Sequence, residues 1–300
     1  MQVTYSHHYQ YNLPDGHRFP MDKYPLLLEQ LQYEGTIDAD QIKEPIPLTW
    51  DQVASTHNPQ YLHKLQSLTL STKEIRKIGF PVRKDLIDRG LVIAGGTYDN
   101  AVYALKHNSV GLNIAGGTHH SFEERGEGFC VFNDFAIAAN LLLDDGDVSK
   151  VLIVDLDVHQ GNGTAHLFRN DPRVFTFSMH GARNYPTKKM TSDLDIGLDD
   201  ETGDSLYLNQ LYTNLPRLIA DQQPEIIMYL SGVDALKSDK LGRLAMTKNG
   251  LKQRDEFVFE QAKNMDIPII VSMGGGYSTR LSDIIDAHAN TFRIAKQIYM

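Results

Sequence analysis

Short runs of consecutive apolar, β-rich residues alternate along the chain with longer stretches whose apolar positions recur at helical spacing. Buried parallel strands joined by amphipathic helices give this pattern. Residues 110–114, 151–155, 174–178, 226–231 and 267–273 predict strands, and 133–143, 205–221, 251–265 and 281–298 predict helices. Asp204 or Ser205 is placed to cap the second of these helices. The expected fold class is α/β, a single-domain, open doubly wound and mostly parallel sheet flanked by helices, spanning residues 1–300. No repeat, low-complexity tract or linker-like run marks a boundary. One string occurs twice: Gly-Gly-Thr at 95–97, inside a predicted helical segment, and at 116–118, after the run 110–114 and just before two histidines.

Composition narrows the function. With 41% hydrophobic and 22% charged residues over 300 positions, this is an ordinary globular protein with room for a large core. The formal net charge of -9 excludes a general nucleic-acid binder, which needs clustered Lys and Arg to neutralise phosphates. It suits a neutral or cationic substrate. The first ten residues are polar and no stretch is long and apolar enough to cross a bilayer, so no membrane association is expected and the expected location is cytoplasmic. Cys130 is the only cysteine, which excludes an internal disulfide and a Cys-rich zinc module. Its apolar flanks point to packing rather than to a nucleophilic thiol.

Candidate chemistry falls just after the strand runs, at the carboxyl ends where open α/β sheets bind ligands. In Asp155-Leu156-Asp157-Val158-His159, the two-residue period of an extended chain puts two carboxylates and an imidazole on one side. They suit one cation, or else are solvated acids at a strand end. Asp234, after the apolar run 226–230, offers either a third ligand or a turn cap. Two carboxylates and one imidazole leave coordination positions open for water and a substrate carbonyl, as catalytic metal sites do. Gly116-Gly117-Thr118-His119-His120-Ser121 puts two histidines on a glycine-permitted loop, where they could share proton transfer. Gly274-Gly275-Gly276-Tyr277 lacks the dinucleotide fingerprint, and its phenol could donate to a developing oxyanion.

In their order, 116–121, 128–134, 155–163, 231–234 and 274–277 resemble the zinc-dependent histone deacetylase family, and the segment 16–24 resembles the opening of bacterial class IV-like members. The resemblance covers nearly the whole chain. It implies an arginase/deacetylase fold and a Zn(II) ion on Asp157, His159 and Asp234. It makes His120 the general base and then acid, and His119, paired with Asp155, the group that supports charge and orients water. Asn162 stands where some members carry an Asp behind the second histidine. Tyr277 matches the oxyanion donor; Gly128, Phe129, Tyr185 and Gly275 are the implied substrate contacts, with Phe129 and Tyr185 walling an acyl-lysine tunnel. A monovalent cation, K⁺, is implied near Asp155, Asp157, His159, Ser178 and Met179.

The expected function is hydrolysis of the amide bond of acetyl-lysine or a related N-acyl amine. The ligand set accepts Fe(II) or Co(II) as well as Zn(II). An acylpolyamine or other small-molecule amidohydrolase is the runner-up, since the acidic balance could attract a polycation. A non-catalytic acyl-amine binding protein is the reading of another class. The expected partner is an acylated lysine peptide or protein, or an acylated small amine; oligomeric state is not legible.

Overall fold

The computed structural model describes all residues, Met1–Met300. Its strands are β1 (Gln2–Thr4), β2 (Ile42–Lys43), β3 (Val110–Asn113), β4 (Val151–Asp155), β5 (Val174–Gly181), β6 (Leu194–Leu198), β7 (Ile226–Leu230) and β8 (Ile269–Ser272). The helices are α1 (Lys23–Tyr33), α2 (Trp50–Ala54), α3 (Pro59–Gln66), α4 (Thr72–Ile78), α5 (Lys84–His107), α6 (Asp134–Asp144), α7 (Asn162–Phe168), α8 (Asp204–Gln222), α9 (Lys248–Asn264) and α10 (Leu281–Tyr299). All eight strands form one sheet in the order β2-β1-β3-β8-β7-β4-β5-β6, and every pairing is parallel. None of the helices is long and apolar enough to cross a membrane.

Both faces of the sheet are covered, and β4 shows why its sequence is apolar throughout. Val151 and Ile153 pack into one layer with α6, Phe168 of α7 and the end of α5, while Leu152 and Val154 pack into the opposite layer with α1, α8, α9 and α10. A strand buried on both sides cannot alternate apolar with polar positions. The five predicted strands and four predicted helices all form, with ends shifted by up to three residues. The three remaining strands lie at the sheet's margins.

The expected cap of α8 is corrected. Gly203 is the N-cap, Asp204 opens the helix, and no side chain caps it. The Asp204 carboxylate instead accepts from the Thr247 backbone N–H at 2.8 Å and hydroxyl at 2.6 Å, tying the start of α8 to the cap of α9.

The duplicated Gly-Gly-Thr separates into two jobs. In α5, a Cβ on Gly95 would collide with the Ile46 carbonyl and one on Gly96 with the Tyr9 hydroxyl, so the glycines permit close packing. Thr97 then donates to Asp134 Oδ2 at 2.7 Å. Asp134 also accepts from the backbone N–H groups of Gly117 (3.1 Å) and Thr118 (2.7 Å), and so pins the second copy of the string.

Candidate active site

Four adjacent central strands, β3, β8, β7 and β4, deliver the candidate residues from their carboxyl ends. His119 and His120 follow β3, Tyr277 follows β8, Asp234 follows β7, and Asp157 and His159 follow β4. His119, His120, Asp157, His159, Gly275 and Tyr277 line one narrow cavity.

Asp157, His159 and Asp234 converge, with their nearest donor atoms all within 4.8 Å of one another. His159 Nδ1 lies 3.0 Å from Asp157 Oδ1 and 3.1 Å from Asp234 Oδ2. The other carboxylate oxygens are committed elsewhere. Asp157 Oδ2 accepts from Gly275 N–H at 2.7 Å, and Asp234 Oδ1 from Val158 N–H at 2.9 Å. The oxygens left facing His159 are thus aimed by backbone donors. Ligands about 2.0–2.2 Å from a tetrahedral zinc ion stand roughly 3.3 Å apart, so these three residues fit a divalent cation. Electrostatics agrees: burial and the neighbouring Asp157 charge push the Asp234 carboxyl up to about 7, a conflict that a cation between them would relieve.

Gly275 is held to this position by space. A Cβ there would collide with Asp234 Oδ2 and stand 2.8 Å from Asp157 Oδ2. Expected as a substrate contact, it lies directly against both carboxylates, with its N–H taken by Asp157.

The adjacent histidines have different partners. His119 Nδ1 is 2.6 Å from Asp155 Oδ2, whereas His120 Nδ1 is 2.6 Å from the side-chain oxygen of Asn162. Burial disfavours charge on His119, but the Asp155 carboxylate outweighs it and raises the imidazole to about 9. His120 has no carboxylate at its Nδ1. Burial and the charge on His119 push it well below the usual imidazole range. The surroundings therefore favour the charged form of His119 and the neutral form of His120.

Tyr277 is anchored through its backbone, which donates to Asp239 Oδ2 at 2.6 Å. Asp239 in turn accepts the N–H groups of Leu241 and Gly242 at 2.8 and 2.9 Å. Burial and the Asp157 and Asp234 charges hold the phenol well above its usual range, so it stays a donor. The Tyr277 ring centroid is 6.3 Å from that of His159 and 6.1 Å from that of Phe129.

Phe129 and Tyr185 both line the wider opening above this cavity. Gly128 and Phe129 take left-handed backbone angles, φ +54° and +69°, and their N–H groups bond the carbonyls of Lys77 and Ile78 at 2.9 and 2.7 Å. A Cβ on Gly128 would stand 2.5 Å from His120 Cδ2. Tyr185 stacks edge-on against His120, centroids 4.9 Å apart, and donates to Glu127 Oε2 at 2.7 Å. Cys130 is buried beneath the opening, where desolvation raises its thiol above the usual range and keeps it protonated. Asp155 and Ser178, two of the residues expected around a monovalent cation, are paired across β4 and β5, with Met179 next in line.

The match to the family model for the histone deacetylase domain runs over residues 17–292. The chain belongs to the histone deacetylase family. It is by that membership a hydrolase of the deacetylase type. Relatives include an uncharacterised protein of Picosynechococcus, 40% identical over 297 residues and covered, like this chain, to 99%. Histone deacetylase 2 of Arabidopsis thaliana is 29% identical over 286 residues, covering 90% of this chain and 72% of its own. The acetoin utilization protein AcuC of Staphylococcus aureus is 27% identical over 288 residues, covering 89% and 74%. A crystal structure of the HDA15 HD domain superposes with a TM-score of 0.83 at 19% identity, over 98% of this chain and 90% of that one, and so shares its fold. The arginase/deacetylase fold expected from the motifs is the one observed.

Family motifs led to most of the site, but four supporting residues carried no separate signal. Asp134 pins the histidine loop and Asp239 pins Tyr277. Lys23, fully buried, donates to the Gly274 carbonyl at 3.1 Å, with its ammonium lowered to about 8 by burial against the pull of Asp234 and Asp157. Arg254, also fully buried, donates to the carbonyls of Gly232 (2.6 Å) and Ser231 (3.3 Å), bracing the loop that ends in Asp234. Lys23 lies in the quoted segment 16–24, yet a lysine in a polar N-terminal stretch reads as surface.

Proposed function

We propose that residues 1–300 act as one catalytic domain that hydrolyses the amide bond of acylated lysine or a related acyl amine, with a divalent metal on Asp157, His159 and Asp234. Zn(II) fits the donor set, and Fe(II) or Co(II) would also be accepted. When bound, such an ion supplies Lewis-acid polarisation and makes water a better nucleophile. The expected K⁺ near Asp155, Asp157, His159, Ser178 and Met179 belongs to this proposal, as does a cytoplasmic location, for which the lone buried cysteine speaks.

The observation that carries the reading is the split between the two histidines beside the triad. Asn162 accepts from His120 Nδ1, so the bare Nε2 can take a proton from water and then pass it to the departing amine. His119, kept cationic by Asp155, stabilises the negative charge that develops without entering the proton transfer. Tyr277 donates to the former carbonyl oxygen. Phe129 and Tyr185 confine the alkyl stem and keep water from the reacting carbonyl. The test is turnover of a fluorogenic acetyl-lysine peptide with metal content measured in parallel. His120→Ala should keep its metal and lose on the order of 100-fold in kcat; near wild-type turnover at every pH would remove the assignment.

A further inference from the structure

The opening above the site carries a charge opposite to that of the chain. The protein as a whole is acidic, at -9. Yet the opening, about 590 Å³ in volume, is lined by Arg18, Arg76, Lys77, Arg183 and Arg243 and by one carboxylate, Glu127. The five cations come from four places: the loop before α1, the end of α4, the loop after β5 and the loop after β7. No single element's helical periodicity or turn chemistry accounts for them.

Nearby acids do not cancel them. Glu127 meets Lys77 at 3.3 Å, but it is shared with Arg125 Nε at 2.7 Å and the Tyr185 hydroxyl at 2.7 Å. Asp200 serves both Arg183, at 3.7 Å, and Arg243, at 3.2 Å. Arg18 and Arg76 make no ion pair; Arg18 lies over the Phe129 ring, 5.0 Å from its centroid. Counting Asp200 with Glu127, five positive charges meet two negative ones. The arginines of the shared pairs remain 74% and 56% exposed, so such pairs add little stability, and fold stability does not explain the cluster. A basic rim around a low-dielectric opening instead focuses field and draws in anions.

We infer that this rim selects acyl-lysine in an acidic peptide, with Asp or Glu on both sides of the modified residue. The inference rests on the hydrolytic reading above and names its substrate class. None of the five cations lines the narrow cavity where the acyl group would be cleaved, so the anionic groups must stay outside it while the lysine stem reaches in. Cations contributed by four separate segments fit several anionic side chains along an extended chain better than one compact anion. A polycationic amine is repelled here, although the overall charge of the chain would attract it.

The experiment compares acetyl-lysine peptides with acidic, neutral and basic flanks, by kcat/KM and by fluorescence anisotropy, at low and high salt. The metal-loaded wild type is measured beside Arg18→Glu/Arg76→Glu and the milder Arg18→Gln/Arg76→Gln. The acidic peptide should exceed the neutral one by about tenfold at low salt, the scale of electrostatic steering, and the gap should close as salt rises. The Gln pair should reduce the preference and the Glu pair abolish it, each read as the ratio of kcat/KM for the acidic peptide to that for the neutral one. Equal rates for all flanks, or preference for the basic one, would overturn the inference while leaving the hydrolase intact. Faster turnover of a compact N-acyl dicarboxylate than of the acidic peptide would overturn the peptide assignment. If no peptide is hydrolysed the hydrolytic reading fails, and anisotropy still decides the charge preference: tighter binding of the acidic peptide supports it and equal binding removes it.

Discussion

His120 Nδ1 lies 2.6 Å from the amide oxygen of Asn162, while its neighbour His119 has a carboxylate at the same distance. The two imidazoles touch, centroids 4.1 Å apart, so a charge on one opposes a charge on the other. A carboxylate behind one ring and a neutral carboxamide behind the other favour the charged form of His119 and the neutral form of His120.

Asn162→Asp tests that division through pH dependence. His120 must be neutral to accept a proton, and burial with the His119 charge holds it below the usual imidazole range. A carboxylate at Nδ1 would favour the imidazolium and raise that pKa. The acid limb of kcat/KM, which reports the free enzyme, should therefore move to higher pH. An unmoved limb, or one shifted down, would show that His120 is not the base.

Tyr277→Phe removes one hydroxyl and leaves the ring and its Asp239 anchor in place. A preorganised oxyanion donor is worth about 100- to 1000-fold in kcat, and this loss should appear with metal content retained and KM little changed. Steady-state kinetics give the answer, and a drop of under about threefold rejects the donor role.

Arg254→Met removes the brace behind the Asp234 loop. Arg254 and Asp255 are both fully buried, and Asp255 also accepts from the hydroxyls of Tyr229 (2.5 Å) and Thr291 (2.6 Å). Removing one partner of such a pair costs about 3–5 kcal/mol because the other charge is left alone. Thermal unfolding should show this loss, with weaker metal retention from a loosened Gly232 carbonyl. Arg254→Met with Asp255→Asn should recover part of the stability. A single variant as stable as wild type would mean that the pair contributes nothing.

Where periodicity was strong, the sequence displayed the architecture: β4 and β7 are apolar at nearly every position because helices cover both faces. The marginal strands β1, β2 and β6 escaped it for the converse reason. Gln2–Thr4 and Ile42–Lys43 are too short for a period to register, and Leu194–Leu198 interposes Asp195 and Gly197. The candidate ligands and the histidine pair, which the fold brings together, stood out as motifs because the chemistry proposed for them needs particular residue types at fixed spacing. Asp134, Asp239 and Arg254 were not, since a buried charge bonded to backbone is indistinguishable in sequence from a solvated one. The basic rim was hidden for a different reason. Arg18, Arg76, Arg183 and Arg243 are far apart in a chain whose net charge has the opposite sign, and only folding gathers them.

Metal titration of chelator-stripped protein tests the central claim most directly. Turnover of an acetyl-lysine peptide should be absent in the stripped protein and rise linearly with added Zn(II) to a break at one equivalent, and Asp234→Ala, folded by circular dichroism, should show neither binding nor recovery. Full turnover by the stripped protein, or wild-type metal binding and activity in Asp234→Ala, would contradict it.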